Sequence, residues 1–98
     1  MRIIAKRTLI EAGQKYGPDV MQQLLAWHGV VKEAEWRKSQ DIRNDFNNAK
    51  IITNEVVVFK ICFNRFRLVI KVWYTGQEVY IKHFVPHTEY DDLDLKDL

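Results

Sequence analysis

Residues 55–91 have the sequence EVVVFKICFNRFRLVIKVWYTGQEVYIKHFVPHTEYD, and this stretch decides the fold. Successive side chains of a β-strand point to opposite faces, so an alternating pattern indicates a strand with one buried face. Residues 66–73 alternate in this way. One side is wholly apolar (Phe66, Leu68, Ile70 and Val72), and the other carries Arg67, Val69, Lys71 and Trp73. The segment is therefore predicted to be a strand with a core face and a cationic face.

The segments on either side of this strand have related patterns. In residues 56–62, Val57, Phe59 and Ile61 share one side, and Lys60 falls on the other with Val56, Val58 and Cys62. In residues 79–85, simple alternation places Val79, Ile81, His83 and Val85 on the apolar side and Tyr80, Lys82 and Phe84 opposite. His83 is accordingly predicted to be a core or edge residue. If the strands pair as a meander, one surface collects four cations: Lys60, Arg67, Lys71 and Lys82.

This cationic surface has two interpretations. Antiparallel sheets commonly keep one face in solvent, where Lys and Arg are ordinary residues. Residues 60–83, however, hold five Lys or Arg and a single acid, Glu78, whereas a solvated face usually mixes both signs. The bias favours a polyanionic ligand such as nucleic acid.

Composition limits what the chain can be. With 98 residues and 47% hydrophobic content, residues 1–98 are predicted to form a single domain with one core. The lone Cys62 excludes an intrachain disulfide, and no run resembles a signal peptide or a membrane span, which predicts a reducing cytoplasm. Residues 89–98 carry a net charge of −4 and residues 1–88 carry +6. No Cys/His spacing indicates zinc and no Gly-rich loop cradles phosphate, so we expect chemistry without a metal or cofactor.

The first half of the chain predicts helices. Residues 1–5 suit a strand of the same sheet, and a capping box at residues 8–11 predicts a helix ending at Gly17. Residues 18–36 predict a longer helix whose apolar stripe consists of Val20, Leu24, Trp27, Val31 and Ala34. A short helix from Ser39 and a strand over residues 49–53 follow. The predicted fold is α+β, with an N-terminal strand and two to three helices packed on one face of a mostly antiparallel sheet.

RNA can be cut without a metal when its own 2′-OH attacks the phosphate. This reaction needs a base, an acid and cations on the phosphorane. Arg67 can present a planar fork to two phosphate oxygens, and His87 is the natural acid/base residue. If residues 87–91 form a helical turn, His87, Tyr90 and Asp91 project from nearly one side, since they are three and four residues apart. By spacing alone, Tyr90 can equally pack against the sheet edge and Asp91 can be ordinary terminal charge.

The chain resembles the HigB toxins of bacterial toxin–antitoxin pairs, within the wider RelE/ParE group. The likeness covers nearly the whole chain, and its most specific blocks are residues 64–69 (NRFRLV) and residues 79–82 leading to 87–91 (HTEYD). Further marks are residues 1–4, residues 32–36 with Asp41-Ile42, Phe46 with Ala49, and residues 57–59. Cys62-Phe63 departs from the polar residue and Gly expected there in relatives.

The resemblance implies a RelE-like fold and a growth-inhibiting mRNA endonuclease, often acting on ribosome-bound message. It also implies a cognate HigA-like antitoxin with a helix-turn-helix domain. It favours a catalytic role for the terminal motif. The expected catalytic residues are Arg67, Lys71, Lys82, His87 and Tyr90; the expected RNA-binding residues are Lys60, Asn64, Arg65 and Trp73; and Asp91 is expected to orient His87.

Three functions therefore stay open at this point. The first is a metal-independent ribonuclease toxin. The second is a protein-binding toxin of the gyrase-inhibitor type, which can keep the fold without His87 and Tyr90. The third is a noncatalytic RNA-binding module, which needs only the cationic face.

Overall fold

A computed structural model describes residues 1–96 and 98 and has α+β architecture. In chain order the elements are β1 (Arg2–Ile4), α1 (Lys6–Tyr16), α2 (Pro18–Glu33), α3 (Ser39–Asp45), β2 (Lys50–Ile51), β3 (Val56–Ile61), β4 (Phe66–Trp73), β5 (Glu78–Pro86) and α4 (His87–Tyr90). The five strands lie in the order β1-β5-β4-β3-β2. The β1–β5 pairing is parallel and the other three are antiparallel. The predicted fold class is confirmed.

Helices α1 and α2 cover one face of the sheet. The predicted stripe of α2 is confirmed for Val20, Leu24, Trp27 and Val31, which are all buried. Ala34, its fifth predicted member, is the extended C-cap and only partly buried. The four buried residues share a core cluster with the apolar side of β4 and with residues of β3 and β5. Burying each such side chain contributes roughly 1.5–3 kcal/mol. Because helices close this face, a ligand that lies across the strands must use the opposite face, which we call the open face.

Several helix and strand boundaries differ from the predictions. Helix α1 begins at Lys6, one turn earlier than predicted, and Thr8 lies inside it with its N–H donating to the Ala5 carbonyl at 3.1 Å. Helix α2 ends at Glu33 because Ala34 is extended. Trp36 is therefore buried beyond the helix, where its indole N–H donates to Asp45 at 2.8 Å. Strand β2 has only two residues rather than the five predicted.

A β-bulge in β5 changes which side chains reach the open face. Val69 pairs with His83 and Ile70 pairs with Ile81, so Lys82 is an extra residue without a partner on β4. One inserted residue reverses the alternation beyond it. The prediction that His83 and Val85 share the apolar side is therefore wrong. Phe84 takes that side instead and stacks on Phe66, with ring centroids 5.2 Å apart.

The C-terminal segment packs on the open face, which the acidic composition of residues 89–98 did not predict. Leu95 is buried against Val56, Val58 and Val69, the apolar residues of that face. Tyr90, Leu93, Leu98 and Ile52 pack around the same cluster. The centre of the open face is therefore covered, and clefts remain on either side of it.

Candidate active site

A cleft of about 370 Å³ lies at one end of the open face, where α4 follows β5. Its lining combines residues from the strands, the terminal helix and the segment before β2: Asn48, Lys50, Val58, Lys60, Arg67, His87, Tyr90 and Asp91. Five of the predicted site residues therefore come together here, namely Lys60, Arg67, His87, Tyr90 and Asp91.

Strands β3 and β4 position two cations in this cleft. Lys60 and Arg67 lie directly opposite each other in the antiparallel register. Like charges at opposite positions destabilise a sheet, and an anion bound beside them removes that repulsion. Arg67 donates from Nη1 to the carbonyls of Asn64 at 2.9 Å and Phe66 at 3.1 Å. These bonds fix the guanidinium, and within residues 1–96 and 98 no acceptor takes its Nε or Nη2.

Helix α4 brings the proposed acid/base group to the same cleft. The predicted helical turn at residues 87–90 is confirmed, although Pro86 is its N-cap and no side chain, including Thr88, caps it. The backbone N–H of His87 donates to the Arg65 carbonyl at 2.9 Å, which ties the turn to the β3–β4 hairpin. The His87 side chain itself is exposed.

Tyr90 both packs on the sheet and lines the cleft. It is half-buried against the apolar cluster of the open face. The guanidinium carbon of Arg67 lies 5.8 Å from the centroid of its ring, a distance typical of a cation–π contact. Asp91 lines the cleft too, and the described contacts include no hydrogen bond between it and His87.

Lys71, Lys82 and Trp73 line a different cleft, of about 310 Å³, together with Glu55 and Tyr80. Lys71 is four residues beyond Arg67 on β4, which corresponds to roughly 13 Å along a strand. Its Nζ donates to the Leu98 carbonyl at 3.0 Å and lies 3.9 Å from Glu55 Oε2. The two lysines expected to be catalytic are thus not grouped with His87.

Tyr80 belongs to this second cleft and has a perturbed hydroxyl. It donates a hydrogen bond to Glu78 Oε1 at 2.7 Å, and this bond raises the pKa of the Tyr80 hydroxyl. The Lys82 ammonium lies 5.7 Å from the centroid of the Tyr80 ring. At neutral pH the phenol is therefore a hydrogen-bond donor already engaged by Glu78.

The two remaining predicted residues lie in the β3–β4 turn, outside the cleft lining. Asn64 is exposed and contributes through its backbone carbonyl, which holds Arg67. Arg65 forms an ion pair with Asp19 at 3.1 Å and lies over the Phe66 ring at 5.3 Å.

Sequence reasoning missed Asn48 and Lys50, which both line the cleft. Lys50 pairs with Val58, so it lies on the same face as Lys60. The available signal was the turn at Asn47-Asn48 followed by a lysine. Only the β2–β3 register shows that this lysine reaches the site.

Other classes of site receive no support from the described residues. Across residues 1–96 and 98, no group of three or more His, Cys, Asp or Glu side chains is arranged to hold a metal ion. Within the same residues, no helix combines the length and apolarity needed to cross a membrane.

A mostly antiparallel five-stranded sheet with helices on one face is the RelE-like fold. A family model described as HigB_toxin, the RelE-like toxic component of a toxin-antitoxin system, matches residues 20–93. The chain therefore belongs to the HigB toxin family, and the predicted resemblance is confirmed.

Curated relatives agree with this membership. The chain is 27% identical over 95 residues to the mRNA interferase HigB of Escherichia coli O6:H1 strain CFT073, covering 95% of this chain and 91% of that protein. It is 28% identical over 94 residues to the mRNA interferase toxin HigB of Escherichia coli strain K12, covering 93% and 88%. The mRNA interferase HigB of Shigella flexneri matches to the same extent.

Proposed function

We propose that this chain is the toxin of a type II toxin–antitoxin pair and that it inhibits translation by cutting mRNA. The observation that carries the proposal is the meeting of Lys60 and Arg67 with His87 and Tyr90 in one open cleft. The names of the HigB relatives, which are mRNA interferases, support the same activity.

In the proposed reaction the scissile phosphate lies against Lys60 and Arg67. The free N–H groups of Arg67 donate to two phosphate oxygens, and Lys60 adds a point charge. These cations stabilise the charge that develops on the phosphorane, which is usually the largest contribution to such catalysis.

The bond changes need one proton removed and one supplied. The 2′-oxygen forms a bond to phosphorus as it loses its proton, and the bond from phosphorus to the 5′-oxygen breaks as that oxygen gains a proton. The products are a 2′,3′-cyclic phosphate and a 5′-hydroxyl. His87, the principal acid/base, carries one of these proton transfers and Tyr90 carries the other, while Asp91 orients the imidazole. The Tyr90 ring can also stack on a base. This set of groups completes the reaction without a metal ion.

The second cleft extends the path for RNA. Lys71 and Lys82 line the second cleft rather than the one that holds His87, so we assign them to binding of the RNA backbone. Trp73, exposed beside them, offers a ring on which a base can stack. Asn64 and Arg65 contact the RNA from the hairpin on the other side of the active-site cleft.

The proposed partners follow from the same function. One partner is mRNA, which the toxin meets in the cytoplasm and on the ribosome. The other is a HigA-like antitoxin with a helix-turn-helix domain. Family membership supports an antitoxin partner of some kind.

The test is pulsed expression in a bacterium with mapping of new mRNA 5′ ends, followed by cleavage assays of the purified chain in EDTA. The assays are run with and without purified ribosomes. We expect new 5′ ends within minutes and cleavage that persists in EDTA. RNA binding without new ends would favour the noncatalytic alternative. Loss of cleavage in EDTA without ribosomes would contradict the metal-independent mechanism, since EDTA also removes the Mg²⁺ that ribosomes need.

A further inference from the structure

An apolar groove of about 260 Å³ lies between α2 and the outer edge of β3. Six apolar residues line it: Ala26, Trp27, Val30, Phe46, Phe59 and Ile61. Asn48 and Lys60 also line the groove, and the same two residues line the active-site cleft. The groove and the cleft are therefore neighbours that share a wall.

The edge of β3 beside this groove is open at Lys60. Strand β2 pairs only with Val57 and Val58. The Val56 carbonyl accepts from Ile52 on the β2 side, at 2.9 Å, and the Cys62 N–H donates to Gln23 Oε1 at 2.8 Å. Since alternate residues of a strand direct their backbone groups to the same edge, the N–H and C=O of Lys60 face outward with no β2 residue opposite. Such an edge is a template for an added extended segment.

The groove has the chemistry of a side-chain pocket rather than a base-stacking platform. Trp27 is only 4% exposed, and its indole N–H has no acceptor among the residues that the structure describes. Trp27 and Phe59 meet edge to face at 5.5 Å and both are buried, so neither ring offers an exposed face to a nucleobase. Val30, by contrast, is 45% exposed on the rim. This apolar surface suits an aliphatic or aromatic side chain of a protein.

We propose that this groove and the open β3 edge together bind an extended segment of the antitoxin, with an apolar side chain in the groove and an acidic residue beside Lys60. The inference rests on the antitoxin part of the proposed function and not on RNA cleavage. Membership of the toxin family implies an antitoxin partner. An acidic residue in its segment complements Lys60 at the groove rim and the net charge of +6 on residues 1–88. An occupant that engages Asn48 and Lys60 excludes RNA from the shared wall of the cleft, so docking here inhibits the toxin.

The experiment compares Val30→Glu with Leu25→Glu. Both residues are exposed apolar positions on α2, at 45% and 42% exposure, but only Val30 lines the groove. The purified cognate antitoxin is the probe. Its affinity is measured by calorimetry and its inhibition by RNA cleavage. We expect Val30→Glu to weaken antitoxin binding by about tenfold or more, because it places a charge against the apolar side chain bound in the groove, while Leu25→Glu binds like the wild type. Both variants should cut RNA normally without antitoxin.

Two results overturn the proposal. Wild-type antitoxin affinity in Val30→Glu excludes the groove as the docking site. Loss of cleavage in Val30→Glu without antitoxin, with Leu25→Glu active, assigns the groove to RNA instead. If circular dichroism shows that Val30→Glu is misfolded, Ala26→Glu replaces it and is judged by the same two criteria. Ala26 is another exposed residue of the groove. If the wild-type chain cuts no RNA, the proposed activity fails, but the affinity comparison still decides the groove.

Discussion

Arg67 is the residue whose geometry most closely matches its proposed role. Its guanidinium is held by two backbone carbonyls and lies beside the Tyr90 ring. Arg67 is also directly opposite Lys60 in the pairing of β3 with β4. We expect Arg67→Ala to lower the rate constant for RNA cleavage by about 10²–10³-fold, comparable to removal of one oxyanion donor. Arg67→Lys should recover little, because a lysine lacks the planar fork. Single-turnover cleavage measures the effect, and near-wild-type rates in Arg67→Ala would remove this residue from the mechanism.

A substitution at His87 should slow RNA cleavage without weakening RNA binding. Its side chain is exposed in the cleft, while its backbone, not its imidazole, holds the turn to the hairpin. We therefore expect His87→Gln to reduce cleavage by roughly 10²-fold or more, as loss of general acid/base catalysis does. RNA or ribosome binding should change little, which a filter-binding assay checks. His83→Gln, on the same face but outside the cleft lining, is the control and should keep its activity.

Among the elements, the β3–β4 turn carries backbone strain that a substitution can relieve. Phe63 has a φ of 62° and is 92% exposed, so its side chain contributes little packing to offset the left-handed conformation. We expect Phe63→Gly to stabilise the fold by about 0.5–1 kcal/mol. Thermal unfolding should show a higher midpoint. Asn64→Gly in the same turn, where φ is not positive, should give no such gain.

The C-terminal segment is the element that supports helix α4. Leu95 packs on Val56, Val58 and Val69 in the same cluster as Tyr90. Loosening it should displace Tyr90 and its helix, and small displacements of catalytic groups can cost up to about 10²-fold in rate. We expect Leu95→Ala to lower kcat by roughly tenfold with a smaller change in KM. Asp94→Asn, exposed next to it, serves as the control. A rise in activity would instead mean that the segment blocks the cleft.

At the scale of the whole molecule, the packing of α2 on the sheet holds the open face in shape. Leu24 is fully buried in the main core cluster, whereas Leu25 is exposed on the same helix. Leu24→Ala should lower the free energy of unfolding by about 2–5 kcal/mol. Leu25→Ala should change it by less than about 0.5 kcal/mol. Denaturant unfolding measures both, and equal midpoints would contradict the packing described for α2.

Local patterns in the sequence were sufficient for the elements and for most of the active-site cleft. The α2 stripe, the alternation in β4 and the turn at residues 87–90 each depend on residues close together in the chain. Their periods follow from the helix and strand geometries. Lys60 and Arg67 could be placed on one face for the same reason, since simple hairpin pairing puts them opposite each other.

Tertiary structure alone decided which cations share a site. The bulge at Lys82 exchanges the faces of the sheet to which His83 and Phe84 point. Alternation cannot reveal the bulge, because an inserted residue is defined only by its lack of a partner on the neighbouring strand. The entry of Lys50 into the cleft depends on register with β3, and the docking of Leu95 depends on an apolar surface distant in sequence. The separation of Lys71 from His87 depends on distance along β4. These features are set by long-range pairing and packing, which a local pattern does not encode.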